Sequence, residues 1–288
     1  MDKIRKALDI ARRERTQFGD FGESTAAATA TAATTAPAPP AATAASSVVP
    51  LRSPLNSIVY TRTRIFSPAA DVLEDNRIMH PSSAETGAAA FRMLRTQVLQ
   101  RMDANGWRCL AIFSPGDQDG KTTTAINLAI NLANDQHHTV LLVDFDLKRP
   151  TVAARLGLAP ERGVDDVLGS AAEVEDCLYH LQGFDRLVVL PARGPLSHSS
   201  EILAGPRGRE LVTELHRRYT DRIVVFDLPP VLTADDALAF APLVECGLVV
   251  AAEGRTRRAD LVRTIELLSK TALVGTVLNR ATDVLSGY

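Results

Sequence analysis

Six short runs between residues 108 and 279 are almost continuously apolar and rich in Val, Leu and Ile. They read RCLAIFS, TVLLVDF, RLVVLP, RIVVFD, GLVVAAE and ALVGTVLN. A strand with one wet face alternates apolar and polar residues, so strands without alternation are covered on both faces. Helix-forming segments separate the runs. One starts at Lys121, one is TVAARLGL, one spans about Ser200 to Tyr219, one starts near Asp235, and one crosses Thr256 to Lys270. Upstream, AETGAAAFRMLRTQVLQRM (84–102) places Phe91, Leu94, Val98 and Leu99 at helical spacing. The expected architecture is α/β, a mainly parallel sheet with helices on both faces, over residues 82–288.

The residues before this domain have a different character. Residues 1–16 carry Ile4, Leu8 and Ala11 on one face of a short amphipathic helix. Residues 17–81 are expected to form a low-complexity linker, largely disordered. Its 21–50 stretch is dominated by Ala, Thr and Pro and cannot bury enough apolar surface to offset its ordering entropy. No regular structure is assigned to 51–80. A net charge of −2 offers no bulk attraction for nucleic acid. Cys109, Cys177 and Cys246 are scattered without metal-binding spacing, as expected of small buried residues in a reducing compartment. No apolar run approaches the roughly 18 residues of a membrane span, and charges interrupt the N-terminus, so a cytoplasmic protein is expected.

In parallel sheets, ligands bind at the carboxyl ends of the strands, and chemically suggestive residues recur there. The first strand runs into SPGDQDGKTTTAIN (114–127), which contains the end of a phosphate-binding loop. The pattern G-x-x-x-x-G-K-[ST] wants glycine at 115, where this chain has Pro115 and places Gly116 one position late. Gly116 and Gly120 are expected to let the backbone turn its N–H groups toward phosphate. Lys121, taken to be exposed, supplies a point charge, and Thr122 a hydroxyl for Mg²⁺. The second strand ends at Asp144 and Asp146, which alternation puts on one side. A third ends at Asp227. Any one aspartate is an ordinary turn residue; three at strand ends beside a Gly-Lys-Thr loop point to a Mg-nucleoside triphosphate site.

SPGDQDGKTTTAINLA, VLLVDFDLKRP and RIVVFDLPPVL resemble the three Walker motifs of the bacterial tyrosine autokinases of capsule and exopolysaccharide systems. The resemblance spans nearly all of 82–288 and extends to FRMLRTQVL, SSEILAGPRGRELVTELHRRY and ALVGTVLNR. It implies a P-loop NTPase fold, ATP and Mg²⁺ as cofactors, and transfer of the γ-phosphoryl group to tyrosines of the kinase's own C-terminal tail. It also implies a cytoplasmic kinase recruited to the membrane by a chain-length (polysaccharide co-polymerase) protein. Carried over by residue, Gly116, Asp117, Gln118, Asp119, Gly120, Lys121, Thr122 and Thr123 surround the phosphates, and Asn279 lies near the adenine. Asp144 accepts or orients the tyrosine proton, Asp146 and Lys121 complete the catalytic set, and Thr122, Asp146 and Asp227 hold the metal.

Departures accompany the likeness. Only Tyr288 lies in the tail, which makes it the candidate acceptor; Tyr60 stands in reserve and Tyr219 sits at a helix end. The family's ring-building E-x-x-R-x-x-R helix reads Ala89, Arg92, Arg95 here, so self-association loses a carboxylate. Lys148 replaces a frequent arginine and loses its fork. A rival reading is an ATP-driven positioning switch of the MinD or ParA kind; those proteins carry a lysine at the position of Gly116. A third is a catalytically weak nucleotide sensor in a polysaccharide export complex.

Overall fold

The computed structural model describes residues 63–80, 86–218 and 221–282. The expected helix at 1–16, Tyr60, Tyr219 and Tyr288 lie outside the described residues.

Eight strands form one sheet in the order β1-β4-β5-β3-β6-β2-β7-β8. They are β1 (Arg64–Phe66), β2 (Cys109–Phe113), β3 (Thr139–Asp144), β4 (Tyr179–Leu181), β5 (Leu187–Leu190), β6 (Arg222–Asp227), β7 (Cys246–Ala252) and β8 (Ala272–Asn279). All neighbours pair in parallel except β4 and β5. The six apolar runs are the six strands from β5 to β8, and every residue of β2, β5, β6 and β7 is buried. Alternate residues serve two cores. Leu110, Ile112, Leu142 and Val225 face one; Ala111, Phe113, Val143 and Phe226 face the other. Helices α2 (Thr86–Asn105) and α3 (Lys121–Ala133) supply the first core through Val98, Met102, Ile126 and Ile130. In the second, Phe145, Phe226 and Phe240 pack with ring centroids 5.0–5.3 Å apart. All three cysteines are buried and unbonded to one another, and no helix among the described residues is long and apolar enough to cross a membrane.

Three expectations need correction. The segment 63–80 is part of the folded domain and not of a linker. It contributes β1 and a short helix, α1 (Ala70–Asp75), so the domain begins well before residue 82. Ile78 is buried in the first core, with Phe66 and Leu73 packed against it. Asn127 of α3 accepts from the Met79 amide at 2.7 Å and donates to the Arg77 carbonyl at 2.9 Å. A three-residue strand carries too little pattern to be legible; its register comes from β4, itself not anticipated because YHL is equally short. The helix expected over 200–219 breaks at Gly205 into α6 (Ser199–Ala204) and α7 (Pro206–Arg218). Pro206 has no N–H for a continuing ladder but suits a first turn.

This ordered strap separates two truncations. Deleting residues 1–62 leaves the strap whole, whereas deleting 1–80 removes a buried isoleucine and the two strap partners of the Asn127 side chain. Thermal melts should show the 1–80 deletion destabilised by at least about 2 kcal/mol relative to the 1–62 deletion, the usual scale for losing a buried isoleucine. Equal melting would mean the strap does not support the core.

Candidate active site

The register of the sheet assembles the site. Asp144 and Asp227, the last residues of β3 and β6, are direct cross-strand partners, and Ile112 of β2 also pairs with Asp227. The loop that leaves β2 therefore starts beside both carboxylates. Pro115 fits because the loop needs its carbonyl: Leu232 N–H donates to it at 3.2 Å, next to a 2.9 Å bond from Val231 to the Ser114 carbonyl. The left-handed turns belong to Gln118 (φ 63°) and Gly120 (φ 91°), not to Gly116. At Gly120 a Cβ would lie 1.8 Å from Asn279 Nδ2, so a side chain there would displace Asn279 from the Asp119 carbonyl.

The outer carbonyls of the loop are held from beyond β7 and β8. Arg255 donates to the Asp117 carbonyl at 3.3 Å, Arg280 to that of Gln118 at 3.1 Å, and Asn279 to that of Asp119 at 2.9 Å. Asp119, expected only as part of the phosphate cradle, turns its side chain inward and braces the loop. It accepts from the Gly116 amide and from the Thr256 hydroxyl, each at 2.8 Å. Helix α3 begins at Lys121 without a side-chain cap. Its first-turn N–H groups and dipole are thus open to an anion.

Lys121 is not the exposed lysine expected; it is buried at 6% exposure. Its ammonium donates to Asp227 Oδ1 at 2.8 Å and lies 3.5 Å from Asp146 Oδ2. Burial alone would lower its pKa, but the carboxylates of Asp227 and Asp146 outweigh burial and leave it raised. Asp144 is fully buried, accepting from the amides of Val152 at 3.0 Å and Asp146 at 3.3 Å. Burial, then the Asp227 charge, hold its carboxyl well above the usual carboxylate range. Asp146 is raised for the same reason, burial first, against the pull of Lys121. One ammonium thus faces three carboxylates and cannot neutralise them. Asp227 Oδ2 is buried without a hydrogen-bond partner, and a cation or its water would satisfy it. Lys148 pairs with Asp236 at 2.5 Å and Asp235 at 3.2 Å, tying the β3 loop to α8 (Asp236–Phe240).

A cleft of about 880 Å³ opens over this arrangement, lined by Gly116, Asp117, Gln118, Gly120, Lys121, Thr122, Thr123, Asp146 and Asn279. Sequence reasoning thus located about half of its wall, while Asp119, Asp144 and Asp227 are buried and do not line it. It missed Asp75, Asn76 and Arg77 of the strap, and Arg149, Thr151, Arg155 and Arg280. Arg149 and Arg280 adjoin motifs already singled out; nothing in the sequence marked the strap. Ala89, Arg92 and Arg95 lie on α2 and do not line the cleft.

Comparison with known proteins places this geometry among relatives. The AAA_31 family, described as an AAA domain, matches residues 111–272. Tyrosine-protein kinase YwqD of Bacillus subtilis is 28% identical over 72% of this chain and 86% of its own length. Succinoglycan biosynthesis transport protein ExoP of Rhizobium meliloti is 33% identical over 71% of this chain, which spans 26% of ExoP. The crystal structure of the VpsO kinase domain superposes with a TM-score of 0.61 at 29% identity, covering 68% of this chain and 96% of that one. The Pyrococcus furiosus cell division ATPase MinD shares the fold more loosely, with a TM-score of 0.52 at 30% identity over 62% of this chain and 76% of that one.

The raised Asp144 has a sign that can be checked. Folding favours its neutral form, so this group's contribution to stability falls as pH rises above the usual carboxylate range. Asp144→Asn imitates the neutral form. Without nucleotide, the variant's melting temperature relative to wild type should be more favourable at pH 8 than at pH 5. The opposite trend would mean that Asp144 is stabilised as the anion.

Proposed function

This chain belongs to the AAA-domain family and, within it, to the bacterial tyrosine autokinases of capsule and exopolysaccharide systems, and from that membership we propose that it is an ATP- and Mg²⁺-dependent protein-tyrosine kinase. The observation that carries the reading is the ring of Asp144, Asp146 and Asp227 about Lys121, set at the mouth of an anion-ready loop.

The residues present fit a divalent cation. Three carboxylates exceed the charge of one ammonium, and Asp227 Oδ2 has no partner. Thr122, Asp146 and Asp227 would hold Mg²⁺, which when bound neutralises charge on the β- and γ-phosphate oxygens. The backbone of 116–123 and the start of α3 cradle the phosphates, and Asn279 and Arg280 flank the base side. Lys121, now paired with Asp227 and Asp146, would supply its charge to the phosphates. Asp144 accepts or orients the proton of the acceptor hydroxyl. The tyrosine oxygen bonds to the γ-phosphorus, the bond to the β–γ bridging oxygen breaks, and ADP departs. A carboxyl whose pKa is raised by burial is a stronger base for that proton.

Tyr288 is the proposed acceptor. Ala281 lines the cleft and the Thr282 amide is held by Glu253 at 2.7 Å, so the chain leaves β8 at the cleft rim. Nine residues from Arg280 to Tyr288 can span roughly 30 Å, enough to reach a neighbouring subunit. Regulation of polysaccharide assembly with a membrane-embedded chain-length protein, on the cytoplasmic side, completes the proposal. Self-association would use Arg92 and Arg95 without the family's glutamate. Gly116, at the position of the switch ATPases' lysine, weighs against the MinD-like alternative.

Mass spectrometry of the full chain incubated with Mg-ATP tests this reading. Phosphotyrosine is expected, with Tyr288 modified; Lys121→Ala should form none at a temperature where circular dichroism shows it folded, its melting point being lowered by loss of the buried counter-ion. Asp144→Asn should bind nucleotide nearly as wild type but transfer about 10²–10⁴-fold more slowly. ATP hydrolysis without phosphotyrosine would overturn the kinase reading in favour of a switch; phosphate only on other residues would remove Tyr288.

A further inference from the structure

The cleft carries more positive charge than its nucleotide loop explains. Lys121 is taken by Asp227, Arg149 by Asp117 at 3.4 Å, and Arg280 by the Gln118 carbonyl. Two arginines on the strap side have no such assignment. Arg155, half-buried on α4 (Val152–Leu156), donates from Nη1 to Thr123 Oγ1 at 3.1 Å, and its Nε is buried without a partner. A buried unpaired guanidinium nitrogen costs free energy unless something fills it. Arg77 has no ion pair among the described residues and lines the same cleft. Its backbone is held in a left-handed conformation (φ 57°), with its carbonyl bonded to Asn127 and Ile78 anchored just beyond. Holding a non-glycine residue there has an energetic cost, and the core contacts of Ile78 and Asn127 sustain it. The one carboxylate in this corner of the cleft, Asp75, is exposed and makes no ion pair among the described residues.

We infer that Arg77 and Arg155 form an anion subsite that takes the aryl phosphate of phosphotyrosine. The inference rests on the kinase reading. In-line transfer puts the acceptor oxygen on the side of the γ-phosphorus away from the departing ADP. With the base toward Asn279 and Arg280 and the phosphates over Gly120 to Thr122, that side is the strap side. Arg155 stands one residue beyond Thr122, through Thr123, where the product dianion would lie. A planar guanidinium suits a phosphate monoester through paired charge-assisted hydrogen bonds. The strap is thereby part of the acceptor site.

The experiment titrates full-length protein, saturated with Mg-ADP, with a phosphotyrosine peptide and its unphosphorylated twin. Wild type should prefer the phosphorylated peptide. Arg77→Ala and Arg155→Ala should each weaken it about tenfold, with Arg155→Lys in between. Neither the affinity for Mg-ADP nor the melting temperature should change appreciably. Equal binding of both peptides, or variants that bind phosphopeptide as wild type does, would overturn the subsite. So would weakened Mg-ADP binding in the variants, which would assign the arginines to the nucleotide. Because this readout needs no turnover, a wild type that makes no phosphotyrosine from Mg-ATP would sink the kinase reading separately.

Discussion

The active end of this protein depends on one unfavourable pairing. Asp144 and Asp227 face each other across neighbouring strands, both fully buried, where like charges directly opposed are destabilising. The Lys121 ammonium between Asp227 and Asp146 makes the arrangement tolerable but does not balance it. Burial and, after it, the Asp227 charge raise the pKa of Asp144, and one buried oxygen of Asp227 has no hydrogen-bond partner.

The phosphate loop depends on its surroundings in the same way. Its carbonyls are held by Asn279, Arg280 and Arg255, and its start is stitched to the turn after β6. Asp119 closes the loop on itself through Gly116 and reaches out to Thr256. Four strand ends thus set the shape of one loop. A proline replacing its first glycine matters little, because the φ freedom is needed at Gln118 and Gly120 instead.

The strap adds a wall that belongs to neither the sheet core nor the Walker motifs. Asn127, one of the α3 residues behind the loop, grips residues 77 and 79 with both ends of its amide. Helix α3, which follows the loop, also fixes the backbone at Arg77, so two walls of the cleft rest on one element.

The sequence by itself determined the sheet, its two covered faces and the chemistry at its carboxyl ends. Fully apolar strands admit few architectures, and Gly120, Lys121, Thr122, Asp144, Asp146 and Asp227 carry a spacing that ordinary turns do not need. It could not show that β3 and β6 lie side by side, which turns two separate aspartates into a coupled pair. Nor could it show that Lys121 is withdrawn into that pair, that the Asp119 side chain braces the loop, or that residues 63–80 fold back on the domain. Each of these rests on a contact across 40 to 160 residues of chain. Periodicity and propensity are local, whereas a counter-ion, a cross-strand partner or a three-residue edge strand exists only once the packed sheet has brought distant segments together.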